Sequence, residues 1–273
     1  MKPTGTAAKE YLEIVEATLD EVLPKADCRP AVLSEAMRYA VGTGGKRIRP
    51  LICLASAVAV GGSAEDARYP AAAIELLHNY TLVHDDLPAM DNDMERRGKP
   101  TVWTKFGEAN AILVGDALQA LAFETAANAP RNVAGIVAAL GAAGVGVVQG
   151  QVEDIAIPGA QGADVPSVSD VPDVPYIYLH KTADLFVASA AMGALAGGGD
   201  AASVEKLCTF ALNLGLAFQY EDDLLDGDSP YSREKTESLV RETTAAAIAA
   251  LEGLPGDTSF LKELAEKLVD RKA

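Results

Sequence analysis

The sequence is poor in residues that build several common kinds of site. Histidine and cysteine each occur three times in 273 residues, tryptophan occurs once, and aromatic residues make up 5% of the chain. Cys28, Cys53 and Cys208 are widely spaced and odd in number, which argues against a disulfide framework and against a zinc site of paired cysteines. Such cysteines fit a reducing compartment, and we expect a cytoplasmic protein.

Basic residues are outnumbered by acidic ones. The chain has 23 Lys and Arg residues against 39 Asp and Glu residues, a formal net charge of -16. This excess argues against a nucleic-acid-binding surface. No basic stretch followed by an apolar one marks a secretory signal at the N-terminus. Residues 133–148 are the most apolar, but they are rich in Gly and Ala and shorter than the roughly 20 residues of a spanning helix. We expect a buried core helix there and no membrane span.

The residues that are abundant favour helices. Hydrophobic residues make up 49% of the sequence, and the dominance of Ala, Leu and Val favours helix over strand. The pattern predicts an all-α fold, a single domain over residues 1–273 built as a bundle of about ten helices. The predicted helices cover residues 7–23, 31–41, a run from Pro50, 70–86, 108–128, 133–151, 176–195, 201–226, 232–251 and 259–272. A segment rich in Pro, Gly, Asp and Ser near residues 158–175 is predicted to be a surface loop.

Two clusters of aspartates stand at the ends of apolar runs. The first contains Asp85, Asp86 and Asp91, and the second contains Asp222, Asp223 and Asp226. Two unit charges about 4 Å apart repel by roughly 4 kcal/mol at an effective dielectric constant of ~20, so carboxylates that share a cavity need a cation. Mg²⁺ prefers oxygen ligands and is usually held by one or two carboxylates together with substrate phosphates. Both clusters therefore indicate metal sites.

The second cluster has helical spacing. Gln219, Asp222, Asp223 and Asp226 lie at offsets 0, +3, +4 and +7, which predicts a single stripe of one helix. The apolar face of that helix leads directly into the carboxylates, as expected where they face a cavity. The alternative is an acid-rich helix end that faces solvent.

The first cluster combines acids with bases. Pro88 must end the helix that carries Asp85, and it predicts an extra turn that folds Asp91 back towards the helix end. Arg96 and Arg97 follow closely, and arginine is well suited to bidentate phosphate recognition. The alternative is a salt-bridged surface loop.

Three further segments are candidates for anion binding. The glycine-rich loop of residues 42–49 carries Lys46 and Arg49; it is not a Walker A sequence and could be a plain connector. His78 lies two helical turns before Asp85 on the same face, although it could also be an ordinary core histidine. Lys181 stands at the start of an apolar helix, where it either reaches the surface or faces the anionic centre.

These motifs together resemble the trans-isoprenyl diphosphate synthases, specifically the bacterial farnesyl diphosphate synthase type. The resemblance covers most of the chain, and its motifs occur in the same order. They are Gly44-Gly45-Lys46-Arg47-Ile48-Arg49-Pro50, the stretch from Glu75 to Thr101, Gly115-Asp116-Ala117-Leu118, Gly150-Gln151, His180-Lys181-Thr182, and Phe218-Gln219 with Asp222-Asp223-Leu224-Leu225-Asp226.

The resemblance implies a helical bundle around a central cavity and a prenyl transfer reaction. An allylic diphosphate ionises, isopentenyl diphosphate attacks the carbocation, and the departing diphosphate can accept the proton. Three Mg²⁺ ions per active site would be held by the six aspartates Asp85, Asp86, Asp91, Asp222, Asp223 and Asp226. Isopentenyl diphosphate would be bound by Lys46, Arg49, His78 and Arg97. The allylic diphosphate and its cation would be contacted by Arg96, Lys181, Thr182 and Gln219. A homodimer is also implied.

Product length in this family depends on residues just before the first cluster, here Tyr80 and Thr81. Tyr80 is bulky and stands five residues before Asp85, and the Pro88-Ala89 expansion accompanies it. We therefore expect farnesyl diphosphate as product. Geranyl diphosphate and geranylgeranyl diphosphate are alternative products. Tyr80 could also be an ordinary core residue without a role in product length.

One departure from the family stands behind the second cluster. After Asp226 the family has a longer loop with a Gly-Lys pair, a further Asp and a second Lys-x-Thr, and about twenty of those residues have no counterpart here. Lys235 could substitute only in part. This departure favours a noncatalytic partner subunit, whereas the complete set of aspartates favours an enzyme. A class I terpene cyclase would need neither the basic loop nor a second Asp-Asp-x-x-Asp motif.

Overall fold

A computed structural model describes residues 6–155, 174–227 and 229–269. Its helices, in chain order, are α1 Thr6–Val22, α2 Ala31–Gly42, α3 Ile48–Ala59, α4 Arg68–Asp85, α5 Val102–Phe106, α6 Glu108–Ala126, α7 Val133–Ile155, α8 Val174–Ile177, α9 Asp184–Gly197, α10 Ala201–Asp226, α11 Arg233–Ala250 and α12 Ser259–Val269. A 3₁₀ turn, Glu65–Ala67, precedes α4, and a π-helical segment, Tyr178–Ala183, joins α8 to α9. Within the described ranges the only strands are Glu95–Arg96 and Lys99–Pro100, an antiparallel pair with Glu95 opposite Pro100.

The predicted all-α fold is confirmed, and each of the ten predicted helices has an observed counterpart. The short helix α5 was not predicted, because one turn of helix carries too little periodic signal. The predicted helix 176–195 corresponds to the end of α8, the π-helical segment and most of α9. Most of the predicted loop at residues 158–175 and the end of the last predicted helix lie outside the described residues. The single-domain assignment stays a prediction.

The centre of the bundle depends on close helix packing. In α3, the residues from Leu51 to Leu54 are fully buried, and α9 packs against this helix. A side chain at Gly193 of α9 would place its Cβ 2.0 Å from the carbonyl oxygen of Cys53. The small residues of α9 therefore allow the two backbones to approach, as in other tightly packed interiors.

A second close contact positions the end of α4. The imidazole of His84 occupies the space where a Cβ on Gly115 of α6 would lie, with its Nε2 at 2.0 Å from that position. The same Nε2 lies 3.0 Å from the carbonyl oxygen of Ile112. Asp85 follows directly, so the contact between α4 and α6 sets where the first aspartate cluster begins.

Helix α7 is buried on one face only. Leu140, Gly144 and Val147 are buried, whereas Val145, Val148 and Val152 on the other face are 61%, 50% and 49% exposed. By length and composition both α7 and α10 could cross a membrane, although core helices pass the same test. The expected buried core helix is therefore half right, because an apolar stripe of α7 has no cover within this chain's described residues.

Helix α10 delivers the second cluster. Its N-terminus is capped by the side chain of Asp200, which accepts a hydrogen bond of 2.8 Å from the Ser203 N–H. It runs for 26 residues and ends at Gly227, whose φ of 78° suits glycine. Acidic side chains at a helix C-terminus repel the negative end of the helix dipole. The end of α10 is therefore a place where a cation is favoured.

Candidate active site

The first aspartate cluster closes on itself as predicted. The N–H of Asp91 donates to the carbonyl oxygen of Asp85 at 2.9 Å, and the N–H of Asn92 donates to that of Leu87 at 3.1 Å. Asp91 is thereby folded back to the end of α4. The extra turn predicted around Pro88 is confirmed.

These carboxylates lie in an environment that disfavours their charge. Burial raises the pKa of Asp85 to about 7; the Lys181 charge opposes this rise and the Asp91 charge adds to it. Burial also raises the pKa of Asp86 and of Asp91. Buried or partly buried carboxylates that repel one another are suited to binding a hard divalent cation, because the positive charge offsets the cost of ionising them.

Two basic side chains that are expected to bind diphosphate, those of Arg96 and Lys181, are paired with carboxylates. Arg96 donates to one oxygen of Asp86 from Nε at 2.7 Å and from Nη2 at 2.6 Å. Lys181 is ion-paired with Asp154 of α7. Both pairs are within reach of the first cluster, since Lys181 and Arg96 each lower the pKa of Asp85. A diphosphate arriving here would compete with Asp86 and Asp154 for these two side chains.

A basic cleft of about 720 Å³ lies beside the first cluster. It is lined by Gly45, Lys46, Arg47, Ile48, Arg49, Glu75, His78, Leu82, Arg96, Arg97, Phe218 and Asp222. Arg97 reaches across to donate to the carbonyl oxygen of Gly44. A Cβ on Gly45, which has a φ of +146°, would meet the Arg97 guanidinium at 2.8 Å, so glycine is required there. All four residues predicted to bind isopentenyl diphosphate line this cleft.

Arg49 and His78 form the floor of the basic cleft. Arg49 Nη1 lies 3.2 Å from His78 Nε2. Burial and the Arg49 charge hold the pKa of His78 well below its usual range, so Nε2 of a neutral ring accepts and Nδ1 carries the proton. Burial also lowers the pKa of Arg49 to about 10. Arg49 Nε and His78 Nδ1 are buried donors without a partner among the described residues.

Arg47 has a different place from its neighbours in the glycine-rich loop. With a φ of 51°, it turns inwards and pairs with Glu75 at 2.7 Å, both side chains being 4% exposed. Its Nε also donates to Glu16 at 2.8 Å. This buried pair anchors the loop, and breaking one partner would leave an uncompensated charge. This pair could not be predicted from sequence, because Glu75 lies 28 residues away.

A second cleft of about 320 Å³ lies on the other side of α10. It is lined by Asp154, Val174, Ile177, Tyr178, Lys181, Thr182, Gln219, Asp223 and Pro230. The Thr182 hydroxyl donates to Gln219 Oε1 at 2.9 Å, and Gln219 Nε2 donates to Asp223 Oδ1 at 2.9 Å. The π-helical segment lets Lys181 turn towards α7 while Thr182 turns towards α10. Such π-helical turns are frequent at functional sites.

The single stripe predicted on α10 is divided between the two clefts. Asp222 lines the basic cleft, Gln219 and Asp223 line the second cleft, and Asp226 is exposed at the helix end. The reason is geometric: adjacent helical residues differ by about 100° in direction. Across the described ranges, no three Asp, Glu, His or Cys side chains form a group able to hold a metal ion. Mg²⁺ held by one or two carboxylates and completed by substrate phosphates needs no such group.

Three polar residues near the site were not among the predicted site residues, although Gln151 belongs to a motif quoted from the sequence. Asp154 holds Lys181, Tyr178 donates to Asp223, and Gln151 is 8% exposed with both carboxamide atoms lacking a partner in the described structure. Gly150 lies directly against the Lys181 backbone, where a Cβ would come within 2.4 Å of its nitrogen. The Gly150-Gln151 motif was the available signal, since Asp154 follows Gln151 by one helical turn.

The two residues predicted to set product length lie in the core of α4. Tyr80 is 6% exposed, and its ring meets the edge of His84 with a centroid distance of 5.7 Å. Thr81 is 7% exposed and donates to the His78 carbonyl oxygen at 2.8 Å. Tyr80 is therefore packed as a core residue, and its position one turn before Asp85 still places it beneath the first cluster.

The short stretch behind Asp226 borders the second cleft. Pro230 lines that cleft, and the Ser229 and Thr236 hydroxyl oxygens are 2.7 Å apart. The Tyr231 ring packs 6.4 Å from that of Tyr220. Lys235 is exposed in the first turn of α11, and its substitution for a longer loop stays a prediction.

Comparison with known proteins agrees with this geometry. Residues 30–270 match the family model of the polyprenyl synthetases. The chain is 44% identical over 219 residues to a chloroplastic geranylgeranyl pyrophosphate synthase of Capsicum annuum, covering 78% of this chain and 57% of that protein. It is 40% identical over 263 residues to geranylgeranyl pyrophosphate synthase 4 of Arabidopsis thaliana, covering 94% and 68%. The chain thus spans less than two thirds of the length of the pepper relative.

The fold is also found among solved structures. A FPP/GFPP synthase from Zymomonas mobilis superposes with a TM-score of 0.85 at 35% identity, covering 96% of this chain and 98% of that one. A geranylgeranyl pyrophosphate synthetase from Pyrococcus horikoshii gives 0.82 at 29% identity, with 97% of both chains covered. With two acidic helix ends around a basic cleft, and with a family match over most of its length, this chain belongs to the polyprenyl synthetase family.

Proposed function

We propose that this protein is a Mg²⁺-dependent prenyltransferase that condenses isopentenyl diphosphate with an allylic diphosphate. The observation that carries the proposal is the adjacency of two unlike anion sites. The basic cleft can bind a diphosphate through side chains alone, whereas the first aspartate cluster can bind one only through cations. A reaction that joins two diphosphates needs both kinds of site side by side.

The basic cleft supplies the isopentenyl site. Arg49 and His78 line the cleft, and the exposed Lys46 and Arg97 add positive charge to it. A neutral His78 donates to the diphosphate without adding a fourth charge to a small volume.

The first cluster and Asp222 supply the allylic site. When bound to these aspartates, Mg²⁺ acts as a Lewis acid that stabilises negative charge on a leaving diphosphate. Arg96 and Lys181 exchange their carboxylate partners for the diphosphate and stabilise the same charge. Thr182 and Gln219 present oxygen lone pairs towards the carbocation. Core residues of α4 around Tyr80 exclude water from the prenyl chain.

For the product, we propose geranylgeranyl diphosphate. The relatives quoted above from pepper and Arabidopsis carry that product in their names, which supports the longer product over the farnesyl diphosphate expected from the sequence. Farnesyl diphosphate is the second candidate, because the buried Tyr80 ring lies one turn beneath the first cluster. The two differ by one condensation at the same site.

We further propose a homodimer in which the apolar stripe of α7 is covered by a second copy. Val145, Val148 and Val152 are about half exposed, and Ile112 and Leu113 of the adjacent α6 are 42% and 56% exposed. Most single-chain proteins do not expose so many large apolar side chains together. In analytical ultracentrifugation the wild type should sediment as a dimer and the Val148→Asp variant as a monomer. A wild type that is monomeric at micromolar concentration would contradict the proposal.

Incubation with substrates tests the activity. Purified protein is mixed with Mg²⁺, isopentenyl diphosphate and dimethylallyl, geranyl or farnesyl diphosphate, and products are identified by mass. A C20 diphosphate supports the main proposal, and a C15 end product supports the second. No turnover with any primer, together with Mg²⁺-dependent diphosphate binding, would instead favour a noncatalytic subunit of another synthase.

A further inference from the structure

A chain of hydrogen bonds links Tyr178 to Thr182 through α10. The Tyr178 hydroxyl donates to Asp223 Oδ2. The other oxygen of Asp223 accepts from Gln219 Nε2 at 2.9 Å, and Gln219 Oε1 accepts from the Thr182 hydroxyl at 2.9 Å. Both oxygens of Asp223 are therefore engaged by protein donors, and the residue is 6% exposed.

The direction of this chain follows from the chemistry of the carboxylate. An ionised carboxylate can only accept hydrogen bonds, so it requires the NH₂ group of Gln219 on its side. The carboxamide oxygen of Gln219 must then face Thr182, and the single hydroxyl proton of Thr182 is committed to it. The lone pairs of the Thr182 oxygen are left to face the second cleft.

Asp223 and Asp222 line different clefts. Asp222 lines the basic cleft beside Arg96 and Arg97, about 100° around the helix. Asp223 faces the second cleft, where Tyr178 and Gln219 already occupy both of its oxygens. A metal ion would have to displace at least one of these bonds to reach it.

We propose that Asp223 and Tyr178 are positioning residues, which fix the orientation of the Gln219 carboxamide and the Thr182 hydroxyl at the allylic reaction centre, and that Asp223 is not a metal ligand. The proposal rests on the prenyltransferase function for the site at which these groups act. It assigns different roles to two adjacent aspartates of one motif. It also gives a role to Tyr178, three residues before Lys181.

The first test measures metal binding without turnover. Thermal unfolding is followed with inorganic pyrophosphate present, with and without Mg²⁺, for the wild type, Asp222→Asn and Asp223→Asn. We expect the Mg²⁺-dependent rise in melting temperature to persist in Asp223→Asn and to fall in Asp222→Asn. An equal loss in both variants would overturn the proposal, because Asp223 would then contribute to metal binding as Asp222 does.

The second test separates positioning from a merely structural role. Asp223→Asn preserves the shape of the side chain, but its amide can donate a hydrogen bond, so the Gln219 carboxamide can rotate by 180° and present its oxygen instead of its NH₂ group. Tyr178→Phe removes the hydroxyl that donates to Asp223. We expect kcat to fall by about tenfold or more in each, with both KM values within about twofold of wild type. The double variant should be no worse than Asp223→Asn, because both act through one link.

Tyr220→Phe is the matched control. The described structure gives Tyr220 ring contacts to Tyr178 and Tyr231, and its hydroxyl takes no part in the chain of bonds. We expect its kcat to match the wild type. Unchanged kcat in Asp223→Asn and Tyr178→Phe, with only a lower melting temperature, would overturn the positioning role. If the wild type makes no prenyl product, the proposed function fails, while the pyrophosphate experiment still decides whether Asp223 binds metal.

Discussion

Replacing Asp85 by asparagine should stabilise the metal-free protein while removing its activity. Burial raises the pKa of Asp85 to about 7, whereas an unfolded aspartate titrates near 3.9. The folded state thus binds this proton more tightly, so stability falls as pH rises from about 4 to about 7. A carboxylate with a raised pKa costs stability when it is ionised, and a neutral amide of the same shape avoids the cost.

The size of the effect follows from the same shift. About three pKa units at 1.36 kcal/mol each give about 4 kcal/mol at pH 8, and about 1.5 kcal/mol at pH 5, where the unfolded state alone is ionised. Because Asp85 is partly exposed, solvent screening reduces these figures, and we expect a gain of about 2–4 kcal/mol at pH 8. The gain at pH 5 should be about a third as large.

Urea unfolding with a metal chelator, at pH 5 and pH 8, measures this directly. Asp27→Asn in the exposed turn between α1 and α2 is the control, and it should change the free energy of unfolding by less than about 0.5 kcal/mol. Adding Mg²⁺ and pyrophosphate should stabilise the wild type by about 2.7 kcal/mol at a hundredfold excess over Kd, and should do much less for Asp85→Asn. A variant that is less stable than wild type at pH 8, or equally stabilised at both pH values, would refute the electrostatic reasoning.

Three further changes test other parts of the account. Tyr80→Ala should lengthen the product by opening space beneath the first cluster, which product mass reports; an unchanged product would show that Tyr80 only packs the core. Gln151→Met should raise the free energy of unfolding by about 1–3 kcal/mol, since it removes a buried carboxamide without partners. A lower free energy of unfolding in urea would contradict this. Thr125→Val is the comparison, because it also removes a buried polar atom without a partner. Arg49→Met should raise the KM for isopentenyl diphosphate at least tenfold, with the KM for the allylic substrate little changed; an equal rise in both KM values would show that the basic cleft is not a separate site.

The sequence predicted the helices and the motif positions well, for local reasons. Pro50 opens α3, Pro88 ends the helix behind Asp85, and helical periodicity marks the length of α10. The fold-back of Asp91 could also be predicted. Asp91 lies six residues after Asp85, which does not place the two on one helical face, and Pro88 between them ends the helix. These features depend on neighbours within a few residues.

Contacts between distant segments could not be predicted in the same way. The pairing of Lys181 with Asp154 and of Tyr178 with Asp223 joins α7, the π-helical segment and α10. The division of the α10 stripe between two clefts depends on what packs on each side of the helix, which spacing alone does not reveal. The buried Arg47–Glu75 pair could not be predicted for the same reason, because 28 residues separate its two members.

The central claim is that the first aspartate cluster and the basic cleft bind two diphosphates that react with each other. The most direct measurement is the product mass after incubation with Mg²⁺, isopentenyl diphosphate and an allylic diphosphate. The account predicts a prenyl diphosphate longer than the primer by one or more five-carbon units, and none when Mg²⁺ is chelated. Release of the unextended prenyl alcohol or a cyclised hydrocarbon, with isopentenyl diphosphate unconsumed, would contradict it.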